Sequence, residues 1–324
     1  MDLLKLSQEI INGKRLTRDD DLSFFVNCDF DELCDGANKI RKELCGDHVD
    51  LCTIINGKSG KCSENCKFCA QSAHNCTGIK EYSFLNEEEI IRECKNNASK
   101  GVHHYSIVTA GRSLSGEDFE KAIHAYTRMH NECDINLCGS HGLLTDEQFE
   151  RLYNSGVKMY HCNIETSERN FPNICTTHTY REKIENIARA KKAGFAICSG
   201  GIIGMGETWE DRIDMAVSLA EVGVDSIPIN ALMPIKGTPM ENNKQLSGEE
   251  ILRTVAIFRY INPTVYIRLA AGRNLMENSG EKAFFSGANA TITGDMLTTS
   301  GSSIKGDIDM LNNMGFDVQY RRED

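Results

Sequence analysis

Residues 51–78 read LCTIINGKSGKCSENCKFCAQSAHNCTG, and they separate the two fold classes open to this chain. The stretch opens as a short β-rich run, LCTIIN. A doubly wound dinucleotide-binding sheet would follow its first strand with a glycine-rich turn. Here the strand runs into a polar loop carrying three cysteines. Outward from this point one pattern recurs: a β-rich run, a small or polar cluster, then a charged amphipathic stretch. The β-rich runs fall at 51–56, 103–110, 135–140, 157–165, 195–202, 225–232, 264–271 and 288–293.

Helices are expected between them. Asn86 precedes EEEIIREC, Ser115 precedes GEDFEKAIHAY, and Thr145 with Gln148 has capping-box spacing. Further helical stretches span 180–192, 208–222, 247–260 and 302–314, and Gly101, Gly156, Gly194 and Gly223 sit where helices should stop. Eight such units in about 270 residues predict an α/β fold of the (β/α)8 TIM-barrel type. Two segments ahead of them, 3–12 and 29–45, read as helices. The expected organisation is therefore a short helical N-terminal extension, 1–47, and a barrel domain, 48–324. With only five prolines and no low-complexity linker, a hinged design is not indicated.

The chain has 324 residues, 40% of them hydrophobic, and 36 basic against 47 acidic side chains for a net charge of −11. That is enough apolar material for a core. No run approaches the roughly 18 apolar residues of a membrane helix, and the mixed start MDLLKLSQEIINGKRL does not read as a cleavable signal. The expectation is a cytoplasmic protein without membrane contact. Acidity without a basic stripe also argues against nucleic acid as a partner.

Fourteen cysteines in such a chain point to metal or redox chemistry rather than disulfides. Cys62, Cys66 and Cys69 have the spacing C-x3-C-x2-C. Three thiolates on one loop can hold three corners of an iron–sulfur cubane and leave the fourth iron open for substrate chemistry. A zinc site completed by His74 or Cys76 is the competing metal reading. Simple burial is excluded by Lys61, Ser63, Glu64, Asn65 and Lys67. The scattered Cys28, Cys34, Cys45, Cys52, Cys76 and Cys94 read as small packing residues.

Inside the expected barrel, Cys138, Cys198 and Arg268 lie on the third, fifth and seventh strand runs. Alternate strands contribute one interior layer, so these three can converge on a second site. His161, Asn163 and Glu165 share one face of the fourth run. Gly200, Gly201, Gly204 and Gly206 permit close backbone approach there.

The C-x3-C-x-aromatic-C loop, with Phe68 as the aromatic residue, resembles the radical S-adenosylmethionine (SAM) superfamily. The blocks CKFCAQSAHN, YHCNIETS, NICTTHTYREK, CSGGIIGMGET, SIPINALMPIKGTP, YIRLAAGR and FFSGANATITGDMLTT, in order across about residues 57–299, are similar to the biotin synthase family. The resemblance implies a sulfurtransferase that closes the ring of dethiobiotin to give biotin. It also implies SAM bound at a [4Fe–4S] cluster on Cys62, Cys66 and Cys69, and a sulfur-donating auxiliary cluster on the residues at 106, 138, 198 and 268. For SAM it implies Phe68, the backbone of Thr109, Ala110 and Gly111, Asn163, Glu165, Ile202 and Lys183. For dethiobiotin it implies His161, Asn163 and Asn230. A flavodoxin or ferredoxin as electron donor and a homodimer are implied as well.

The chain departs from the family pattern at four of these positions, one being Lys183, which aligns with a family arginine. Ser106 stands where cysteine is common, His161 replaces asparagine and Glu165 replaces aspartate. Serine oxygen is a harder ligand than thiolate. Two expectations follow: Ser106 ligates a [2Fe–2S] cluster, or the auxiliary centre is larger, of [4Fe–5S] type. Cys133, Cys162 and Cys175 are spare thiols that could assist the second centre, although Cys162 is expected to face the outer helices instead. The alternatives are a maturase-like or mutase-like radical enzyme without a sulfur donor, a zinc-stabilised binding module, and a small electron carrier.

Overall fold

All eight β-rich runs form parallel strands in the computed structural model, which describes residues 2–294, 297 and 301–320. Of the block 284–299 quoted above, Asp295, Met296, Thr298 and Thr299 lie outside the described residues. The strands are β1 Asp50–Lys58, β2 His104–Thr109, β3 Asn136–Ser140, β4 Met159–His161, β5 Ala196–Cys198, β6 Gly201–Ile203, β7 Ser226–Ala231, β8 Tyr266–Leu269 and β9 Ala290–Ile292. Their order is β5-β4-β3-β2-β1-β9-β8-β7-β6, and a β5–β7 pairing closes the ring. The fifth run is thus one barrel strand in two pieces. It breaks opposite Pro228 of β7, which has no N–H to give the ladder. The result is the eight-stranded parallel barrel the pattern predicted.

The helices are α1 Leu3–Ile11, α2 Phe24–Asn27, α3 Phe30–Cys45, α4 Glu87–Ser99, α5 Gly116–Glu132, α6 Asp146–Asn154, α7 Phe171–Ile174, α8 Tyr180–Lys192, α9 Trp209–Val222, α10 Gly248–Ile261, α11 Glu281–Phe284 and α12 Ile304–Asn313. Reciprocal capping boxes start α6 (Thr145/Gln148), α8 (Thr179/Glu182), α9 (Thr208/Asp211) and α10 (Ser247/Glu250). Ser115 differs from expectation: it precedes α5 but its side chain makes no capping hydrogen bond. Gly223 ends α9 in the left-handed region, φ +69°. The N-terminal helices pack on α10, where a Cβ at Gly36 would stand 1.8 Å from the Tyr260 hydroxyl.

Strand tilt fixes which interior side chains share a level. Cys52 pairs with His104 and His104 with Asn136, so the level position on β3, two residues on, is Cys138. The same step from Cys138, through Met159 and Ala196, reaches Cys198. From Cys198, through Ser226 and Tyr266, it reaches Arg268. From Arg268, through Ala290 and Asp50, it returns to Cys52. These four residues are one complete layer of the barrel. The layer above, from the other strands, is Ser106, His161, Pro228 and Ile292.

Candidate active site

A cavity of about 400 Å³ runs from the mouth of the barrel, at the C-terminal ends of the strands, down to the Cys52 layer. Every residue singled out as a site residue lines it: Cys62, Cys66, Phe68, Cys69, Ser106, Thr109, Ala110, Gly111, Cys138, His161, Asn163, Glu165, Lys183, Cys198, Ile202, Asn230 and Arg268.

At the mouth, the cysteine loop is shaped by its own backbone. Ala73 N donates to Cys62 O at 2.8 Å, Cys62 N to Gln71 O at 3.1 Å, and Cys69 N to Cys66 O at 3.1 Å. Asn75 Nδ2 ties Cys69 O and Cys66 O together at 2.8 and 3.3 Å. The buried Glu64 fastens the loop to the segment before α8, accepting from Thr177 Oγ1 at 2.8 Å and contacting His178 Nδ1 at 2.5 Å. All three loop thiols are half-buried and unpaired by disulfide. Phe68 and Ile202 pack on a small apolar cluster of Ile174, Met205, Leu232 and Met240, separate from the main core.

Midway down, the fourth run supplies polar groups. Asn163 Oδ1 accepts from Gly200 N at 3.0 Å, so His161 Nε2, at 2.8 Å from the same oxygen, is the donor. Burial lowers the His161 pKa to about 4, and the ring is neutral. Glu165 adopts φ +71°, a strained setting for a non-glycine residue. Its backbone bonds to Gly200 O and Ile202 N explain the glycines: a Cβ at Gly201 would lie 2.4 Å from Glu165 O, and one at Gly200 2.0 Å from Pro228 O. Burial raises the Glu165 pKa against the attraction of Lys183 and His178, and its Oε2 has no partner among the described residues. Asn230 donates to Gly201 O at 3.1 Å and accepts from Ala271 N at 3.2 Å, leaving one N–H and one lone pair for the cavity.

At the floor, Arg268 Nη2 donates to Asp50 Oδ1 at 2.5 Å and Nε to Ser226 Oγ at 3.2 Å. His104 Nε2 stands 3.0 Å from Asp50 Oδ2, and its Nδ1 3.6 Å from Cys138 Sγ. Although burial works against the charge, His104 and Arg268 hold the Asp50 carboxyl well below the usual carboxylate range. Burial pushes the Cys198 thiol up to about 11. Ser106 Oγ, one layer higher, is buried without a partner among the described residues. A vacant buried hydroxyl and carboxylate, with three loop thiols, suit a cavity that receives polar and metal-bearing guests.

Three expectations need correction. Cys133 and Cys175 do not reach the second site: Cys133 packs in the main core, and Cys175 lies at the mouth. Cys52, read as packing, lines the cavity floor. Cys162 faces the outer core, as expected. Among the described residues neither His74, whose Nε2 lies 3.0 Å from Ser63 O, nor Cys76 joins a close-set ligand group with the loop. Instead Cys66, Cys175 and His178 bring ligand atoms within 4.8 Å of one another. Sequence reasoning missed His178, although the C-x2-H spacing of NICTTHT was a signal. It also missed His104 and Asp50, which carry no motif.

A Radical SAM superfamily profile matches residues 56–219, and a Biotin and Thiamin Synthesis associated domain profile matches 228–317. The chain is 65% identical over 314 residues to a biotin synthase of Clostridium beijerinckii, covering 97% of this chain and 99% of that one. It is 66% identical over 316 residues to a biotin synthase of Alkaliphilus metalliredigens, covering 98% and 99%. The chain belongs to the biotin synthase family. As a biotin synthase it is a radical SAM sulfurtransferase, using SAM and a [4Fe–4S] cluster. Among solved structures it is similar to methylornithine synthase, with a TM-score of 0.85 at 20% identity over 98% of this chain and 97% of that one. A maturase of the [FeFe]-hydrogenase matches with a TM-score of 0.82 at 17% identity, covering 97% and 74%. At these identities the likeness concerns the fold alone. Among the described residues, no helix is long and apolar enough to cross a membrane.

Proposed function

We propose that this biotin synthase turns dethiobiotin into biotin inside the barrel cavity, with SAM held at its mouth, dethiobiotin in the middle and a sulfur-donating cluster at its floor. The observation that carries the reading is the stacking of three different donor sets along one axis: loop thiols, then amides and a carboxylate, then buried thiols with arginine. When bound there, a [4Fe–4S] cluster reduced by an external donor would supply the electron that cleaves SAM to methionine and a 5′-deoxyadenosyl radical, and the floor cluster would supply sulfide for the substrate.

Cys62, Cys66 and Cys69 hold the [4Fe–4S] cluster, with Phe68 shielding it. Glu165 accepts from the ribose hydroxyls of SAM with Asn163 beside it, a good match for an acceptor oxygen that has no other partner among the described residues. Ile202 packs on the adenine, the backbone of Thr109, Ala110 and Gly111 receives the methionyl amino group, and Lys183 faces its carboxylate. Asn230 offers donor and acceptor to the cyclic urea of dethiobiotin, with His161 and Asn163 along the same wall. A carbon radical takes a hydrogen atom from whatever bond it meets, so the walls would have to hold it against its target C–H and keep other hydrogen-atom donors away. Ser106, Cys138, Cys198 and Arg268 surround the auxiliary cluster, of [2Fe–2S] or [4Fe–5S] type. Residues 48–324 carry this chemistry and 1–47 form a helical buttress. A flavodoxin or ferredoxin donates electrons, and the enzyme works in the cytoplasm as a homodimer.

The test is anaerobic reconstitution followed by addition of SAM, reductant and dethiobiotin. Biotin and deoxyadenosine should form in a ratio of about one to two, one SAM for each C–H bond broken. Zinc in place of iron, or deoxyadenosine without biotin, would overturn the assignment.

A further inference from the structure

We propose that Cys52 is a ligand of the floor cluster, supplying a third thiolate from β1 beside Cys138 and Cys198. The inference rests on the reading that a sulfur-donating cluster occupies the floor. Cys52, Cys138, Cys198 and Arg268 form one closed layer, one residue from every second strand of the barrel. All four line the cavity. A layer so composed points three thiols and a guanidinium at one axis, at one height.

Cys52 is not accounted for as packing. Buried Cys34, Cys94 and Cys133 sit in the main apolar core, whereas Cys52 belongs to none of the apolar clusters among the described residues. Its charged or polar neighbours are Arg268, Cys138, His104 and Asp50. Its Sγ makes a long hydrogen bond, 3.6 Å, to Thr53 O. Among the described residues the floor thiols are not gathered as tightly as the ligand trio at the mouth, whose atoms lie within 4.8 Å of one another, which argues against a single ion. More widely spread sulfurs need several irons to bridge them.

Ser106 stands one layer higher and on the other set of strands, next to His161 and Pro228 rather than level with the thiols. Its oxygen is also the harder donor. The soft-ligand count at the floor is therefore met without it: the thiolate is on the neighbouring strand, one layer down.

The experiment uses the full-length protein, reconstituted without oxygen with 57Fe, as wild type, Cys52→Ala, Cys52→Ser and Cys138→Ala. Iron, acid-labile sulfide and Mössbauer spectra are read, with SAM-dependent deoxyadenosine release reporting an intact mouth cluster. Cys52→Ala should lose the same iron and sulfide as Cys138→Ala while still cleaving SAM. Cys52→Ser should shift the signal of one floor iron. If Cys52→Ala loses both clusters, the serine variant decides: an unchanged floor spectrum overturns the proposal, and a shifted one supports it. A wild type with two clusters and Cys52 variants indistinguishable from it sinks the Cys52 assignment alone. A wild type holding only the iron of one cubane sinks the floor cluster and Cys52 together.

Discussion

Arg268 and Asp50 form an ion pair sealed at the foot of the barrel, Nη2 to Oδ1 at 2.5 Å with each side chain 3% exposed. The pair joins β8 to β1 across β9, and His104 contacts the second carboxylate oxygen at 3.0 Å. Removing one partner of such a pair leaves a buried charge uncompensated. Asp50→Asn should therefore destabilise the protein by about 3–5 kcal/mol. Urea unfolding of the apoprotein checks this. A midpoint matching wild type would mean that the guanidinium finds other compensation.

Glu165 combines a left-handed backbone, a buried carboxyl with a raised pKa and an oxygen without a partner among the described residues. Such a residue is costly to the fold and suited to a ligand. Glu165→Gln should weaken SAM binding by roughly tenfold or more, as expected for a lost hydrogen bond to a charged group worth about 1.5–3 kcal/mol. Folding stability should stay level or rise. Equilibrium dialysis with SAM and urea unfolding read the two effects separately.

Asn230 is clamped between Gly201 O and Ala271 N, so its free donor and acceptor are pre-oriented. Asn230→Ala should raise the KM for dethiobiotin by about tenfold, the worth of one or two net hydrogen bonds. The affinity for SAM should be unaffected. Loss of SAM affinity in step with dethiobiotin would put Asn230 in the general architecture of the cavity instead.

His141 lies behind Thr109, fully buried. The Tyr126 hydroxyl donates to Cys138 O, so it accepts from His141 Nε2 at 2.9 Å, and the Thr109 hydroxyl donates to Nδ1 at 3.0 Å. Burial lowers its pKa from 6.5 to about 3. Between those values the unfolded chain binds the extra proton and the folded one does not. The contribution of His141 to stability is thus complete above about pH 6.5 and falls as the pH drops toward 3, by up to about 1.4 kcal/mol per unit. His141→Gln should flatten that slope in urea unfolding measured between pH 4 and 6.5. An equal slope in both proteins would show that the histidine is protonated when folded.

The barrel was legible because its signals are local. Capping pairs such as Thr179/Glu182 and Ser247/Glu250, and stop glycines such as Gly223, act within a few residues of themselves. The same holds for Cys62, Cys66 and Cys69, whose spacing on one loop is the geometry that gathers them. The split of the fifth strand was less visible, because its cause, Pro228, lies on another strand and breaks a ladder rather than a pattern. Cys175 and His178 were misjudged for a related reason. Long-range contacts, chiefly those of Glu64 and Asn65 to residues 175–178, bring them to the mouth.

From the order of residues alone came the alternation of strand and helix, the thiol loop and the odd-strand convergence of Cys138, Cys198 and Arg268, since each depends on periodicity or near spacing. The tertiary fold alone decided that Cys52 stands level with them and Ser106 does not. Height inside a barrel depends on strand register summed around the closed ring, and that sum exists only once every strand has found its neighbours.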